Sequence, residues 1–138
     1  MIYKFYDTCS LLLKANHLFD DKDSKVIISS ITLQELEDIK TSRNKDEETK
    51  FSARQILRAL TEHIGEYEVH IFRECMLDRI VEKTDFAVNN DLRILACAFD
   101  YDYYEHPDET IFVTNDLALA QIANLFFGED SIESVDEE

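Results

Sequence analysis

Glycine and proline are nearly missing: the 138 residues hold two glycines, Gly65 and Gly128, and one proline, Pro107. A phosphate-cradling P-loop needs two glycines within six residues, a dinucleotide fingerprint needs three, and a nucleophile elbow needs G-x-S-x-G. None of these can be written with this chain. So little Gly and Pro also leaves no flexible linker, and at ~150 residues per domain the length reads as one domain. Positive charge is scarce as well. Fourteen Lys and Arg face 30 Asp and Glu, for a net charge of −16 and a pI near 4.5. A field of that sign repels phosphates and excludes a polybasic nucleic-acid binder. The three cysteines, Cys9, Cys75 and Cys97, form an odd set without C-x-x-C. That argues for reduced thiols in a cytoplasm, against a disulfide scaffold and against a zinc knuckle. No apolar run approaches the ~20 residues of a membrane span, and the N-terminus carries charge where a signal peptide needs an apolar core. The chain is expected to be soluble and cytoplasmic, with no membrane partner.

Hydrophobic residues make up 45% of the chain, enough for an ordinary core. Residues 2–6 (IYKFY) are β-prone and end at Asp7. Residues 9–19 look helical, and Val26, Ile27 and Ile28 make a second buried strand. Thr32 starts a helix with Glu35 three residues on, a capping-box spacing. After a polar stretch, Ala53, Ile56, Leu57, Leu60 and Ile64 follow a helical stripe, and residues 66–72 alternate like a strand. An ambiguous amphipathic piece follows at 75–83. Asn90 opens a helix with Leu92, Leu95, Ala96 and Phe99 on one face. Residues 111–114 make a short buried strand, and a helix from Asp116 turns Leu119, Ile122, Ala123 and Phe126 inward. Residues 1–127 are expected to form the domain and 128–138 an acidic tail with at most a short strand.

Strands alternating with helices imply parallel βαβ units in a doubly wound sheet, whose ligand crevice lies outside the carboxyl ends of the strands. An acid stands at each strand-to-helix junction: Asp7, Glu35, Asp91 and Asp116. Singly, each is a natural helix-terminal acid, and Glu35 would complete a capping box with Thr32. Together they would converge on one edge of the sheet. Four close carboxylates raise one another's pKa unless a counter-charge is present. A hard divalent cation, Mg²⁺ or Mn²⁺, takes carboxylate oxygens and waters and leaves positions for phosphate.

The stretches FYDTCSLL, ITLQELEDI, NNDLRILACA and IFVTNDLALAQIA resemble, in order, the four motif blocks of PIN-domain ribonucleases. The resemblance spans about residues 2–123. The E-L-E-D-I-K stretch and the Ala-Arg-Gln helix at 53–55 are most similar to the PIN domain found in front of PhoH-like ATPases, without the ATPase. The resemblance implies a Rossmann-like three-layer α/β/α sandwich with a mainly parallel sheet, cutting single-stranded RNA with Mg²⁺ or Mn²⁺ and leaving a 5′-phosphate. It implies Asp7, Glu35, Asp91 and Asp116 as metal ligands and catalytic acids. Thr8 and Thr114 would be supporting hydroxyls, with Asn90 and Asn115 orienting acids or waters. Two positions depart from the family pattern. Cys9 stands where Asn or Ser is usual, and Ala118 provides no acid two residues beyond Asp116, which counts against a fully occupied second metal site. A homodimer, an antitoxin or a PhoH-like ATPase partner is compatible with the resemblance.

Other readings of the acids fail on particular residues. A haloacid-dehalogenase-type phosphatase needs D-x-D, but position 9 is Cys. A receiver domain needs a late lysine, and none follows Lys83. His17, His63, His70 and His106 lack the paired spacing of a zinc site. Between Lys40 and Arg58 lies a basic shoulder, in which Lys40, Arg43, Lys45, Arg54 and Arg58 are candidate RNA-backbone contacts. The tyrosines of YDYYEHPDET sit among four acids and read as a surface loop, and Cys75 and Cys97 read as packing residues. Two functions stay open: a metal-dependent endoribonuclease, or a PIN-like scaffold that binds RNA or protein with weak or no catalysis.

Overall fold

The structure, a computed structural model, describes residues 1–105 and 109–135, so His106 lies outside the described residues. Among these residues five strands, β1 (Ile2–Tyr6), β2 (Ser24–Ser29), β3 (Tyr67–His70), β4 (Glu109–Val113) and β5 (Ile132–Glu133), form one sheet. Its order is β3-β2-β1-β4-β5, and every pairing is parallel. Among the described residues six α-helices join them: α1 (Thr8–Lys14), α2 (Ser30–Thr41), α3 (Glu47–Glu62), α4 (Asp78–Lys83), α5 (Asn90–Tyr104) and α6 (Leu117–Ala123). This is the expected α/β/α architecture. From the central β1 the chain winds outward through β2 and β3, then crosses to β4 and β5 on the other side. The strand order therefore reverses between β1 and β4, and such a switch point leaves a crevice at the carboxyl ends.

The period-two rule of a strand explains the two cores. Phe5, Ile27 and Phe112 point to one face, against Leu92 and Leu95 of α5 and Leu119 and Ala123 of α6. Tyr6, Val26, Ile28, Ile111 and Val113 point to the other, against Leu11 of α1, Leu36 of α2 and Ala53, Ile56 and Leu60 of α3. Because both faces are covered, the inner strands read as continuous apolar runs rather than as alternation.

Several local expectations are corrected. Helix α2 begins at Ser30 with Ser29 as its N-cap, the Ser29 hydroxyl accepting from the Ile31 amide. Thr32 is inside the helix and fully buried, so no capping box forms with Glu35. The stripe of α3 stops at Leu60: the helix ends at Glu62, Gly65 takes a positive φ, and Ile64 is exposed. The ambiguous 75–83 piece is a 3-10 turn running into α4. The tyrosine-rich stretch is not all loop, since α5 continues through Tyr104 and buries Tyr101, whose hydroxyl donates to Glu68 at 2.9 Å. Cys75 is exposed rather than packed, whereas Cys97 is buried. No helix among the described residues is long and apolar enough to cross a membrane.

Candidate active site at the carboxyl edge of the sheet

Asp7 follows β1 directly and caps α1. Its Oδ1 accepts from the Ser10 amide at 2.9 Å, and its Oδ2 accepts from the Thr114 hydroxyl at 2.6 Å. Asp7 is 2% exposed, so those two donors satisfy a carboxylate that water barely reaches. The Thr114 hydroxyl also accepts from the Asp116 amide at 3.1 Å, which ties the end of β4 to the end of β1. Asp116 caps α6 through a 3.0 Å bond from the Leu119 amide and is itself exposed.

Glu35 reaches the same edge from α2. The Thr8 hydroxyl donates to its Oε1 at 2.7 Å and stands 3.1 Å from the hydroxyl of Thr32. With one proton to give, Thr8 gives it to the carboxylate and takes the one from Thr32. Thr32 thus belongs to the site's support, a part that reading it as a helix cap obscured. Asp91 lies in the first turn of α5 but does not cap it: Asn89 does, accepting from the Leu92 amide at 2.9 Å.

The four acids come from four different elements and feel one another. Burial, then Asp116, Glu35 and Asp7, push the Asp91 carboxyl above its ordinary pKa. Burial, followed by the same acids led by Asp7, does the same to the Cys9 thiol. None of the four forms a salt bridge among the described residues. Nor do three His, Cys, Asp or Glu side chains there stand close enough for a ready cation cage.

Other expected residues take different positions. Asn115 holds the segment after β5: its amide donates to the Val135 carbonyl at 3.0 Å and its carbonyl accepts from the Val135 amide at 2.6 Å. Asn90 accepts from Arg93 at 2.8 Å. Lys40 pairs with Glu37 at 3.0 Å, and Arg54 lies over the Phe51 ring at 5.9 Å. Arg43, Lys45, Arg54 and Arg58 are all exposed. A cleft of ≈ 550 Å³ runs from Asp116 and Cys9 to the first turns of α3, where Glu48, Thr49 and Ser52 line it. None of the five expected RNA-contacting side chains is in that lining.

A parallel α/β domain with an acidic switch point is the class that the fold and this edge define. The PIN domain family profile matches residues 5–126, and the chain belongs to the PIN-domain family. No curated protein matches it in sequence. Among solved structures it is similar to VapBC2 from Rickettsia felis, bound to a DNA fragment from their promoter, at 22% identity and a TM-score of 0.58, covering 99% of this chain and 100% of that one. It is also similar to a domain of a functionally unknown protein from Methanocaldococcus jannaschii, at 17% identity and a TM-score of 0.57, covering 99% and 91%. VapBC-1 from nontypeable Haemophilus influenzae matches at 16% identity and a TM-score of 0.51, covering 99% and 98%. At these identities the likeness is one of fold.

Proposed function

We propose that this chain is a metal-dependent endoribonuclease that hydrolyses phosphodiester bonds of single-stranded RNA, with Asp7, Glu35, Asp91 and Asp116 as ligands of Mg²⁺ or Mn²⁺. The observation that carries this reading is Asp91. Its carboxylate is exposed at the edge and feels three other acids, with neither a capping role nor a cationic partner among the described residues. PIN domains are generally metal-dependent nucleases, which supports the same reading.

The donors fit such an ion. They are hard oxygens, and Mg²⁺ is ordinarily held by one or two carboxylates, waters and substrate phosphate rather than by an all-protein cage. The loose spacing of the acids suits that mode. When bound, the cation supplies charge neutralisation at the phosphate and acidification of water. The chain's own residues do the rest. Ser10 and Thr114 fix both oxygens of Asp7 in orientation. Thr8 holds Glu35 through one oxygen, leaving the other to take a proton from the attacking water. Thr114 sets the distance between Asp7 and Asp116 by bonding to both. Arg43, Lys45, Arg54 and Arg58, on the exposed shoulder, would meet the RNA backbone beyond the cleft, with Lys40 once freed from Glu37.

Partners and setting belong to the same proposal. An antitoxin, a PhoH-like ATPase or a second copy of the chain would accompany it, and two of the fold's neighbours are VapBC structures. Cysteines free of disulfides support a reducing, cytoplasmic setting.

The test is cleavage of a fluorescent single-stranded RNA with Mg²⁺ or Mn²⁺, using a chelator and Asp91→Asn as controls. Asp91 is the better substitution than Asp7, which is buried and doubly hydrogen-bonded. Metal-dependent cutting lost in the variant is the expected result. Failure of the wild type both to cut and to bind metal would leave the second reading, a PIN-like scaffold binding RNA or protein. That reading draws on the capping bonds of Asp7 and Asp116, which give both acids a structural duty of their own.

A further inference from the structure

Asp116 lines three clefts. The one on the side of α1 and α3 carries one further acid, Glu48, beside Leu12, Leu13 and the hydroxyls of Thr49 and Ser52. Another, ≈ 320 Å³, is lined by Phe86, Leu92, Leu119 and Ile122 together with Asp91 and Asp116. That volume is at the small end of ligand pockets, which run from ~300 to ~1,000 Å³. Phe86 stands on the irregular segment between α4 and α5 and is 49% exposed, so the ring lines the cleft while much of it stays open.

We infer that this cleft receives one unpaired nucleobase of the substrate strand, with Phe86 as its stacking wall; the inference rests on the nuclease reading above. Charge decides which part of a nucleotide can enter. The carboxylates of Asp91 and Asp116 repel a phosphate that no cation neutralises, but they tolerate a neutral planar ring. A phosphate held at those two acids leaves its own base or the next one within reach of the adjoining apolar walls. Leu92 and Leu119 are buried at 3% exposure each and give that ring a rigid floor. Stacking on Phe86 is sequence-tolerant, because every base has a π-face.

Asn89 adds a polar contact. Its carbonyl oxygen is engaged by the Leu92 amide, which leaves the side-chain NH₂ as a donor on the same lining. Every base carries an edge acceptor for it, so the contact orients the ring without choosing among bases. A base still paired in a duplex cannot turn into the cleft. Phe86 and Asn89 would thereby set the preference for single strands, a preference the acids alone do not supply.

The chain contains no tryptophan, so Phe86→Trp introduces a unique fluorophore in the cleft. Its emission in Mg²⁺ should be quenched saturably by a phosphorothioate-linked single-stranded RNA oligonucleotide and not by the duplex of the same sequence. Phe86→Ala should lower kcat/KM roughly 5- to 100-fold, the range of one lost base–aromatic stack. Phe86→Tyr should restore it, and the Mg²⁺-induced rise in Tm should be the same in all three proteins. Unquenched emission while the wild type cleaves, or a Phe86→Ala protein as active as wild type, would overturn the inference. So would a response only on adding a protein partner, which would assign the cleft to that partner. Quenching by single strands in a protein that neither cleaves nor gains Tm with Mg²⁺ would support the base cleft and reject the nuclease reading.

Discussion

Glu68, half-buried, and Asp91, exposed at the carboxyl edge, are acids on one sheet scaffold, and their surroundings treat them oppositely. At Glu68, on β3, burial pushes the carboxyl up. The hydrogen bonds from Lys25 at 3.0 Å and Tyr101 at 2.9 Å outweigh it and hold the group below its ordinary pKa. Elsewhere around the sheet, Lys4 pairs with Glu133 at 3.0 Å and His70 meets Asp100 at 2.9 Å. At Asp91 burial and three neighbouring acids act in the same direction, and no donor opposes them. Burial does not set the sign; partners do. Elsewhere the fold gives its acids partners of opposite charge, but the four at the switch point have none among the described residues, and that contrast is what the proposed cation site rests on.

The comparison breaks most visibly in catalysis. Replacing Asp91 with Asn removes one of the uncompensated charges and is expected to lower RNA cleavage by about 100-fold or more, the scale of losing one preorganised electrostatic contact at a reaction centre. Single-turnover kinetics with saturating metal check it. Next comes Thr114→Val, which keeps the shape of the side chain and withdraws the hydroxyl from Asp7. A buried carboxylate missing a donor costs ~1–3 kcal/mol, readable as a shift of the urea midpoint at unchanged slope. The acidity of the edge gives a third handle. The native state holds the Asp91 proton more tightly than the unfolded chain does. Its contribution therefore favours the fold at low pH and turns against it as pH rises through and just above the carboxylate range. In metal-free buffer the Tm of wild type should fall over that window more steeply than that of Asp91→Asn. The smallest effect belongs to the compensated side. Lys25→Met removes a half-exposed ion pair and should cost ~0.2–1 kcal/mol, with cleavage unchanged.

Much of this was legible in the sequence, and the exceptions share a cause. Strands β1, β2 and β4 announce themselves as short apolar runs, and an acid after each turn points to the carboxyl edge. Cap register is harder. Ser29, Ser30 and Thr32 can each accept from a backbone amide, as can Asn89 and Asn90, so a local signal cannot choose among them. Packing chooses: Thr32 is fully buried beneath Thr8, which moves the start of α2 back to Ser30. Strand β5 has two residues, too few to show alternation, and it joins the sheet through contacts made far away in sequence. The Thr114 amide donates to the Glu133 carbonyl at 2.9 Å, and Asn115 clasps Val135. The support of the acids was hidden in the same way. Thr8 to Glu35 and Thr114 to Asp7 join residues 27 and 107 positions apart, and no periodicity carries such pairs. Ile64 fits the helical stripe of α3 and is nonetheless exposed, because the helix has already ended at Glu62 before Gly65 turns the chain.

The central claim, that the acids at the carboxyl edge are held without a cationic partner for a divalent cation, is tested most directly by melting wild type and Asp91→Asn with and without Mg²⁺. The account predicts that Mg²⁺ raises the Tm of wild type, by about 2.7 kcal/mol of stability at a hundredfold excess over Kd. It predicts that the shift vanishes in Asp91→Asn, and that this variant melts above wild type in chelator because repulsion is relieved. An Asp91→Asn protein that melts lower in chelator and gains as much from Mg²⁺ as wild type would contradict it.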